Sequence, residues 1–391
     1  MFDYSKFYTV RTPLYNTLNC LKIGKKLNVV YFGGSVTAGT GLAYEDLNKL
    51  SWRAKTGAWI AEHFPSAEVT NINRAVGESG TYLGTFRVER DVIAHKPDLL
   101  FIEYSINDCY FGSSYEESAM RFETIVREVR RQLPFCDIVT VLVTDKRRSA
   151  DARELRLHAQ AQAHDDIAAA YGIPSIKVGM SLVQHLGDSL EEKWSEYFTD
   201  IVHLTAKGYG EYFACIEKFL EHELLSDAPV KEKSAHVLPP LVSDSLFDGD
   251  RRVIQATEEL KNRSEQLGGH GFEFSEKYFG LHDYNGFFFA EQGGEDPVFA
   301  IEFEGTDIAF HTNVATGVAR EESVWCFEVS IDGKEWQRRN FKTHNPTMIA
   351  DGLTSGKHTI LFRPIFSTFE KNDTFKLGII FTRNAAKQTT K

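Results

Sequence analysis

Leu27-Asn28-Val29-Val30-Tyr31-Phe32-Gly33-Gly34-Ser35-Val36-Thr37-Ala38-Gly39 joins two patterns that together point to an α/β architecture. Its first half is a near-continuous apolar run, the pattern of a strand covered on both faces. Its second half is a glycine turn carrying one serine. In an open α/β sheet the carboxyl ends of strands form the crevice where ligands bind, and flanking glycines let the backbone turn sharply there. Ser35 is therefore a candidate nucleophile; taken alone, the segment also reads as a structural turn or a phosphate-binding loop.

Outward from this strand, the same alternation continues over residues 27–224. Strand-like runs fall at Leu27–Phe32, Glu68–Asn73, Asp98–Tyr104 and Asp137–Val143, with a weaker one at Ile173–Val178 broken early by Pro174. Helical patterns separate them at Trp52–Phe64, Tyr82–His95, Tyr115–Leu133, Asp151–Tyr171 and Ala206–Leu225. In the last of these Tyr209, Phe213, Ile216, Phe219 and Leu220 recur at helical spacing, and Thr205 stands where a cap belongs. Apolar strands separated by helices predict an α/β domain with a parallel sheet between two helical layers. It occupies residues 1–225.

The stretch 226–245 is irregular, with Pro229, Pro239, Pro240 and a charged Lys231-Glu232-Lys233, and reads as a linker. From residue 246 to 391 the period changes. Short β-rich runs at Gly286–Ala290, Val298–Phe303, Ile308–Thr312, Val324–Ile331, Lys357–Phe362 and Thr374–Phe381 are divided by Gly, Asp and Asn turns, and Asp332-Gly333 is a hairpin signal. Roughly six to eight such strands predict an antiparallel sandwich or jelly roll, with a helix around Ile254–Gln266 at its entry. No internal repeat is present.

Composition limits the function classes. In 391 residues, 55 acidic against 44 basic side chains give a formal charge of −11, and the longest basic run is Lys146-Arg147-Arg148. Nucleic-acid and anionic-membrane partners are disfavoured, since both are held by concentrated positive charge. No apolar stretch is long enough to cross a bilayer, and Met1–Arg11 lacks the basic and apolar regions of a signal peptide. Cys20, Cys109, Cys136, Cys215 and Cys326 are an odd set at wide gaps, without Cys-x-x-Cys. Neither a disulfide framework nor a zinc site is expected, and free thiols point to a reducing, cytoplasmic setting. H-E-x-x-H, Walker and dinucleotide motifs are missing.

A serine hydroxyl attacks only when a base takes its proton and a third group orients that base. Among 13 histidines, His203 stands out in Asp200-Ile201-Val202-His203, in a loop just before the last helix of the α/β half. The D-x-x-H spacing lets the carboxylate reach Nδ1 while Nε2 faces a serine. The third strand ends in Glu103-Tyr104-Ser105-Ile106-Asn107-Asp108, where the Asn107 carboxamide is placed to donate to a developing oxyanion; Asn-Asp is also a common turn pair. The second strand leads into Asn73-Arg74-Ala75-Val76-Gly77-Glu78-Ser79-Gly80, whose amides are further candidate donors. Arg87 and Arg90 read as a helix face paired with Glu89 or Asp91 and are left out of the site.

Taken in order, Gly-x-Ser, the glycine turn, Asn-Asp and D-x-x-H resemble the four blocks of the SGNH, or GDSL-type, hydrolase superfamily, over about residues 27–220. The resemblance implies Ser35 as nucleophile, His203 as base and Asp200 as orienter. It implies an oxyanion hole of the Ser35 amide, the Gly77 amide and Asn107, with Glu78 as the alternative to Gly77. The acidic residue usual before the serine is Gly34 here, as in a Gly-Gly-Ser branch, and Ser105 stands where glycine is common. Two-step acyl transfer of this kind needs neither a metal nor an organic cofactor.

An SGNH domain followed by a jelly-roll module is similar to bacterial carbohydrate acetylesterases, including mannan-deacetylating ones whose β module covers the crevice. That resemblance implies an acetylated oligosaccharide, or another acylated small molecule, as partner. Trp325, Trp336, Tyr278, Tyr284 and Phe287 are candidates for stacking on sugar faces, though aromatics also fill sandwich cores. The rival readings are a lipase, lysophospholipase or thioesterase for longer acyl chains, an acyltransferase acting on a glycan, and a non-catalytic binding protein. A homo-oligomer is compatible with all of them.

Overall fold

The computed structural model describes residues 2–227, 229, 232–281, 284–293, 296–314, 325–340, 346–369 and 374–385. The chain divides into two compact units, Met1–Leu246 and Phe247–Lys391.

The first unit is built on strands β1 (Tyr8–Thr9), β2 (Lys26–Gly33), β3 (Glu68–Asn73), β4 (Leu99–Glu103), β5 (Asp137–Val141) and β6 (Ser175–Ile176). Their spatial order is β1-β6-β5-β4-β2-β3, parallel except for β1 against β6. Every residue of β4 and β5 is buried, as strands covered on both faces must be. Two apolar clusters account for the covering. One joins Leu27, Val29, Tyr31, Phe101 and Val139 to Trp52, Ile60, Tyr209 and Phe219, and the other joins Val30, Phe32, Leu100 and Ile102 to Val88, Phe122, Ile125 and Ile167. The chain leaves β2 for β3 on one side and returns to β4 on the other. That reversal opens a crevice beyond the carboxyl ends of β2 and β4, the place such sheets use for ligands.

Helices at Trp52–His63, Thr81–Asp91, Tyr115–Gln132 and Ala206–Leu224 lie where the periodicity predicts them. The expected helix over 151–171 is broken into Ser149–Arg153 and Ala159–Ala170. Leu155 adopts φ 57°, which interrupts the ladder; Arg156 turns back onto Asp151 and Glu154, and His158 caps the second piece. Helices at Tyr15–Lys22, Val178–Leu186 and Leu190–Tyr197 have no counterpart in the sequence reading. The described part of 226–245 runs along this unit. His236 bonds Asp137 at 2.8 Å, Ser234 and Asn16 exchange two bonds of 2.9 Å, and Glu123 accepts the amides of Val242 and Ser243 at 2.9 and 2.7 Å.

Among the described residues the second unit is antiparallel β, with one α-helix, Glu258–Gln266, and a short 3-10 turn, Phe366–Thr368. Strands β7 (Asp250–Gln255), β8 (Glu273–Leu281), β9 (Tyr284–Glu291), β10 (Phe299–Gly305), β11 (Asp307–Val314), β12 (Cys326–Ile331), β13 (Gln337–Asn340), β14 (Thr347–Ala350), β15 (Gly356–Ile365) and β16 (Thr374–Asn384) form two sheets. One has the order β10-β15-β12-β13; the other runs β14-β11-β16-β9-β8, with β7 also on β16. Phe299, Phe327, Ile360 and Phe362 of the first meet Phe288, Phe310, Phe375 and Ile380 of the second in one apolar core, the arrangement of a sandwich. The turn after β12 has φ 55° at Asp332 and 71° at Gly333, the mirror-image turn that an Asp-Gly pair favours. Ile254 belongs to β7, opposite Ile380, and the helix expected from it begins only at Glu258, capped by Thr257.

Candidate active site

β2 ends at Gly33, and Ser35 opens a one-turn helix, Ser35–Ala38, with Gly34 as its amino cap. At that first position the Ser35 amide has no helical acceptor, so it is available to a ligand. The turn is narrow. A methyl group on Gly33 would stand 2.6 Å from the Glu103 carbonyl oxygen and 2.4 Å from Thr37 Oγ1, and one on Gly34 would stand 2.6 Å from Asn107 Oδ1. A side chain at Gly33 would run into backbone, so only glycine fits there; one at Gly34 would have to displace the Asn107 carboxamide, and Gly39 closes the helix at φ 101°.

His203 comes to this turn from the other end of the unit. Its Nε2 lies 2.8 Å from Ser35 Oγ and its Nδ1 lies 2.6 Å from Asp200 Oδ2. An ionised carboxylate only accepts, so Nδ1 carries the proton and Nε2 faces the serine hydroxyl as an acceptor. Burial disfavours charge on Asp200, but the amides of His203 and Val202, at 2.7 and 2.8 Å from Oδ1, and the imidazole outweigh it. The carboxyl is held below the ordinary carboxylate range.

The loop carrying this pair is anchored on all sides. Trp194 donates to the Asp200 carbonyl at 2.8 Å, the Lys146 amide to Ile201 at 2.8 Å, and the Thr199 amide to the His203 carbonyl at 2.8 Å. Two residues past His203, Thr205 caps the helix Ala206–Leu224. Tyr209 on that helix donates to the carbonyls of Val36 and Thr40 at 3.2 and 2.8 Å. One helix thus holds both the base loop and the nucleophile turn.

Asn107 lies on the short helix Ser105–Tyr110 directly after β4 and packs its carboxamide against Gly34. Gly77 follows β3, and a methyl group on it would be 3.8 Å from Ser35 Cβ, so this backbone borders the serine. Its neighbour Glu78 takes φ 54° in the same turn. The two strand ends are clamped together by Asp108, which accepts from the Thr81 amide and hydroxyl at 2.7 Å each, Ser118 at 3.0 Å and His164 at 3.1 Å. All the residues singled out from the sequence for the site therefore converge on one point.

Arg87 and Arg90 do not join them. Both pair with Asp91, which also takes Arg74, with contacts of 2.6 to 2.9 Å. Burial opposes the charge of Asp91, but Arg87 and the other cations hold its carboxyl below the ordinary range. In the second unit Phe287 is buried on β9 instead of lying on an exposed loop, and Trp325 packs edge-on against Phe369. Trp336 is exposed, beneath the Arg363 guanidinium. The side chains of Tyr278 and Tyr284 lie outside the described residues.

Sequence reasoning passed over Glu103. It is the last residue of β4, fully buried, and accepts from Thr37 Oγ1 at 2.9 Å. Burial pushes its carboxyl up to about 7, against the pull of the Thr37 hydroxyl. The signal was a lone carboxylate at the end of the apolar run Leu99-Leu100-Phe101-Ile102.

Residues 31–210 match the model of the GDSL-like lipase/acylhydrolase family. Among solved structures, the chain is similar to a two-domain esterase active on acetylated mannans, with a TM-score of 0.74 and 20% identity over 99% of this chain and 100% of that one. The structure of such an esterase co-crystallised with mannopentaose gives 0.69 and 18% over the same shares. An acetylxylan esterase from Geobacillus stearothermophilus gives 0.43 and 15% over 52% of this chain and 97% of that one. No curated protein sequence matches the chain.

Proposed function

We propose that this chain, a carboxylic ester hydrolase whose residues 31–210 form a GDSL-like lipase/acylhydrolase domain, is a serine esterase that removes O-acetyl groups from oligosaccharides. The observation that carries the serine mechanism is the continuous chain Ser35 Oγ, His203 Nε2, His203 Nδ1, Asp200 Oδ2, with links of 2.8 and 2.6 Å.

In the acylation step His203 Nε2 takes the hydroxyl proton as Ser35 Oγ bonds to the ester carbonyl carbon. The charge that develops on the carbonyl oxygen is met by the Ser35 amide, the Asn107 carboxamide and the Gly77 amide. The tetrahedral intermediate collapses, the C–O bond to the alcohol breaks, and His203 returns the proton to the departing alkoxide. Water, deprotonated by the same imidazole, then releases the acyl group from Ser35. Asp200, ionised throughout, keeps Nδ1 protonated and stabilises the imidazolium.

The acetylated-glycan substrate is supported by the two-unit architecture, shared along the whole chain with an esterase active on acetylated mannans. The test compares acetyl and octanoyl p-nitrophenyl esters, then acetylated mannan, xylan and chitin oligosaccharides. Acetyl preference and deacetylation of one glycan are expected. A preference for octanoyl would replace this substrate class with lipids or thioesters, and turnover that requires an acceptor sugar would replace hydrolysis with acyl transfer.

A further inference from the structure

Glu103 grips the nucleophile turn on both sides of Ser35. Its backbone carbonyl accepts from the Gly34 amide at 3.2 Å, and its carboxylate accepts from Thr37 Oγ1 at 2.9 Å. It stands opposite Gly33 in the β2–β4 register. Four residues further on, the same segment delivers Asn107, whose carboxamide fills the space beside Gly34. Thr37 and Glu103 have no solvent exposure. A fully buried carboxyl is an expensive way to fill a site that Val or Ile would fill at lower cost, and this one spans the two segments whose relative position sets the distance between nucleophile and oxyanion donor.

We propose that Glu103 is a positioning residue for ester cleavage, acting through the Thr37 hydroxyl to hold the Ser35 turn in register with Asn107. The inference rests on the serine-esterase reading and deepens it. Misplacing reacting groups by a fraction of an ångström lowers turnover without weakening ground-state binding in proportion. The effect belongs in kcat.

The experiment is steady-state hydrolysis of p-nitrophenyl acetate by the full chain carrying Thr37→Val, Thr37→Ser, Glu103→Gln or Glu103→Leu, with Ser35→Ala as reference. Thr37→Val, isosteric but without the hydroxyl, is expected to lower kcat about tenfold or more with KM within about twofold. Thr37→Ser, which restores the donor, should return to within about threefold of the unmodified chain, as should Glu103→Gln, which keeps an oxygen acceptor. Full kcat in Thr37→Val, a loss confined to KM, or a Thr37→Ser variant as impaired as Thr37→Val would overturn the role. Should Thr37→Val not fold by circular dichroism, the contrast is read between Glu103→Gln and Glu103→Leu, and equal kcat in those two overturns it. Undiminished hydrolysis by Ser35→Ala would instead remove the esterase reading. An inert Ser35→Ala beside a fully active Thr37→Val removes only the positioning role.

Discussion

Asn107 Oδ1 occupies the space beside Gly34, 2.6 Å from where a methyl group on that glycine would stand. A side chain on Gly34 would have to push that carboxamide aside.

Gly34→Ala follows directly. The backbone at φ −89° and ψ −157° accepts alanine without strain, so the clash falls on the mobile end of Asn107. The expected result is an unchanged melting temperature with kcat lowered about 100-fold, the usual scale for a lost oxyanion donor. A thermal melt and one rate measurement check both halves.

Glu103 makes stability depend on pH with a definite sign. Its folded-state value of about 7 lies above the 4.5 of an exposed glutamate, so the folded chain holds the extra proton and stability falls as pH rises through that interval. The full cost, about 3 kcal/mol at alkaline pH, should vanish in Glu103→Gln. Asp108, Tyr104, Tyr209 and Tyr212 share its electrostatic surroundings, and burial pushes the three tyrosines up, so they stay neutral across the interval. Melting curves of both proteins at pH 5 and pH 8 give the comparison.

Asp91 is fully buried with Arg87 and also holds Arg74 and Arg90. Asp91→Ala leaves a buried guanidinium without its counter-charge, a change that typically costs about 3 to 5 kcal/mol. Chemical denaturation should show that loss in the first unit, while removal of the half-exposed Arg90 side chain should cost less than about 1 kcal/mol.

Asp200→Asn keeps the shape of the orienting group and removes its charge. The amide can favour the wrong imidazole tautomer, a substitution that lowers kcat by about 10⁴ in a buried triad. Asp200 is half-exposed, so a smaller loss, about 10² to 10³, is expected with KM little changed. Rates with p-nitrophenyl acetate at pH 8 check it.

The site was legible where chemistry coincides with local punctuation. Ser35 sits in a glycine turn after an apolar strand, Asn107 just past another strand, and Asp200 and His203 at the spacing that lets a carboxylate reach Nδ1. The fold followed from period: 3.6 residues in Tyr115–Gln132, continuous apolarity in Leu99–Ile102. What escaped notice depends on pairs distant in the chain. Thr37 and Glu103 are 66 positions apart, and neither marks the other. The break at Leu155 came from a single residue in the left-handed region, which apolar periodicity does not register. Val178–Leu186 was hidden because its apolar start continues the preceding strand pattern without a turn between them.

A serine activated by His203 is captured covalently by an organophosphate ester. The full chain is incubated with diethyl p-nitrophenyl phosphate, followed by intact mass measurement, peptide mapping and assay of acetyl ester hydrolysis. One diethylphosphoryl adduct on Ser35, appearing in step with loss of activity and much more slowly in His203→Ala, is the predicted result. Inactivation with the adduct on another residue, or complete modification of Ser35 with hydrolysis undiminished, would contradict it.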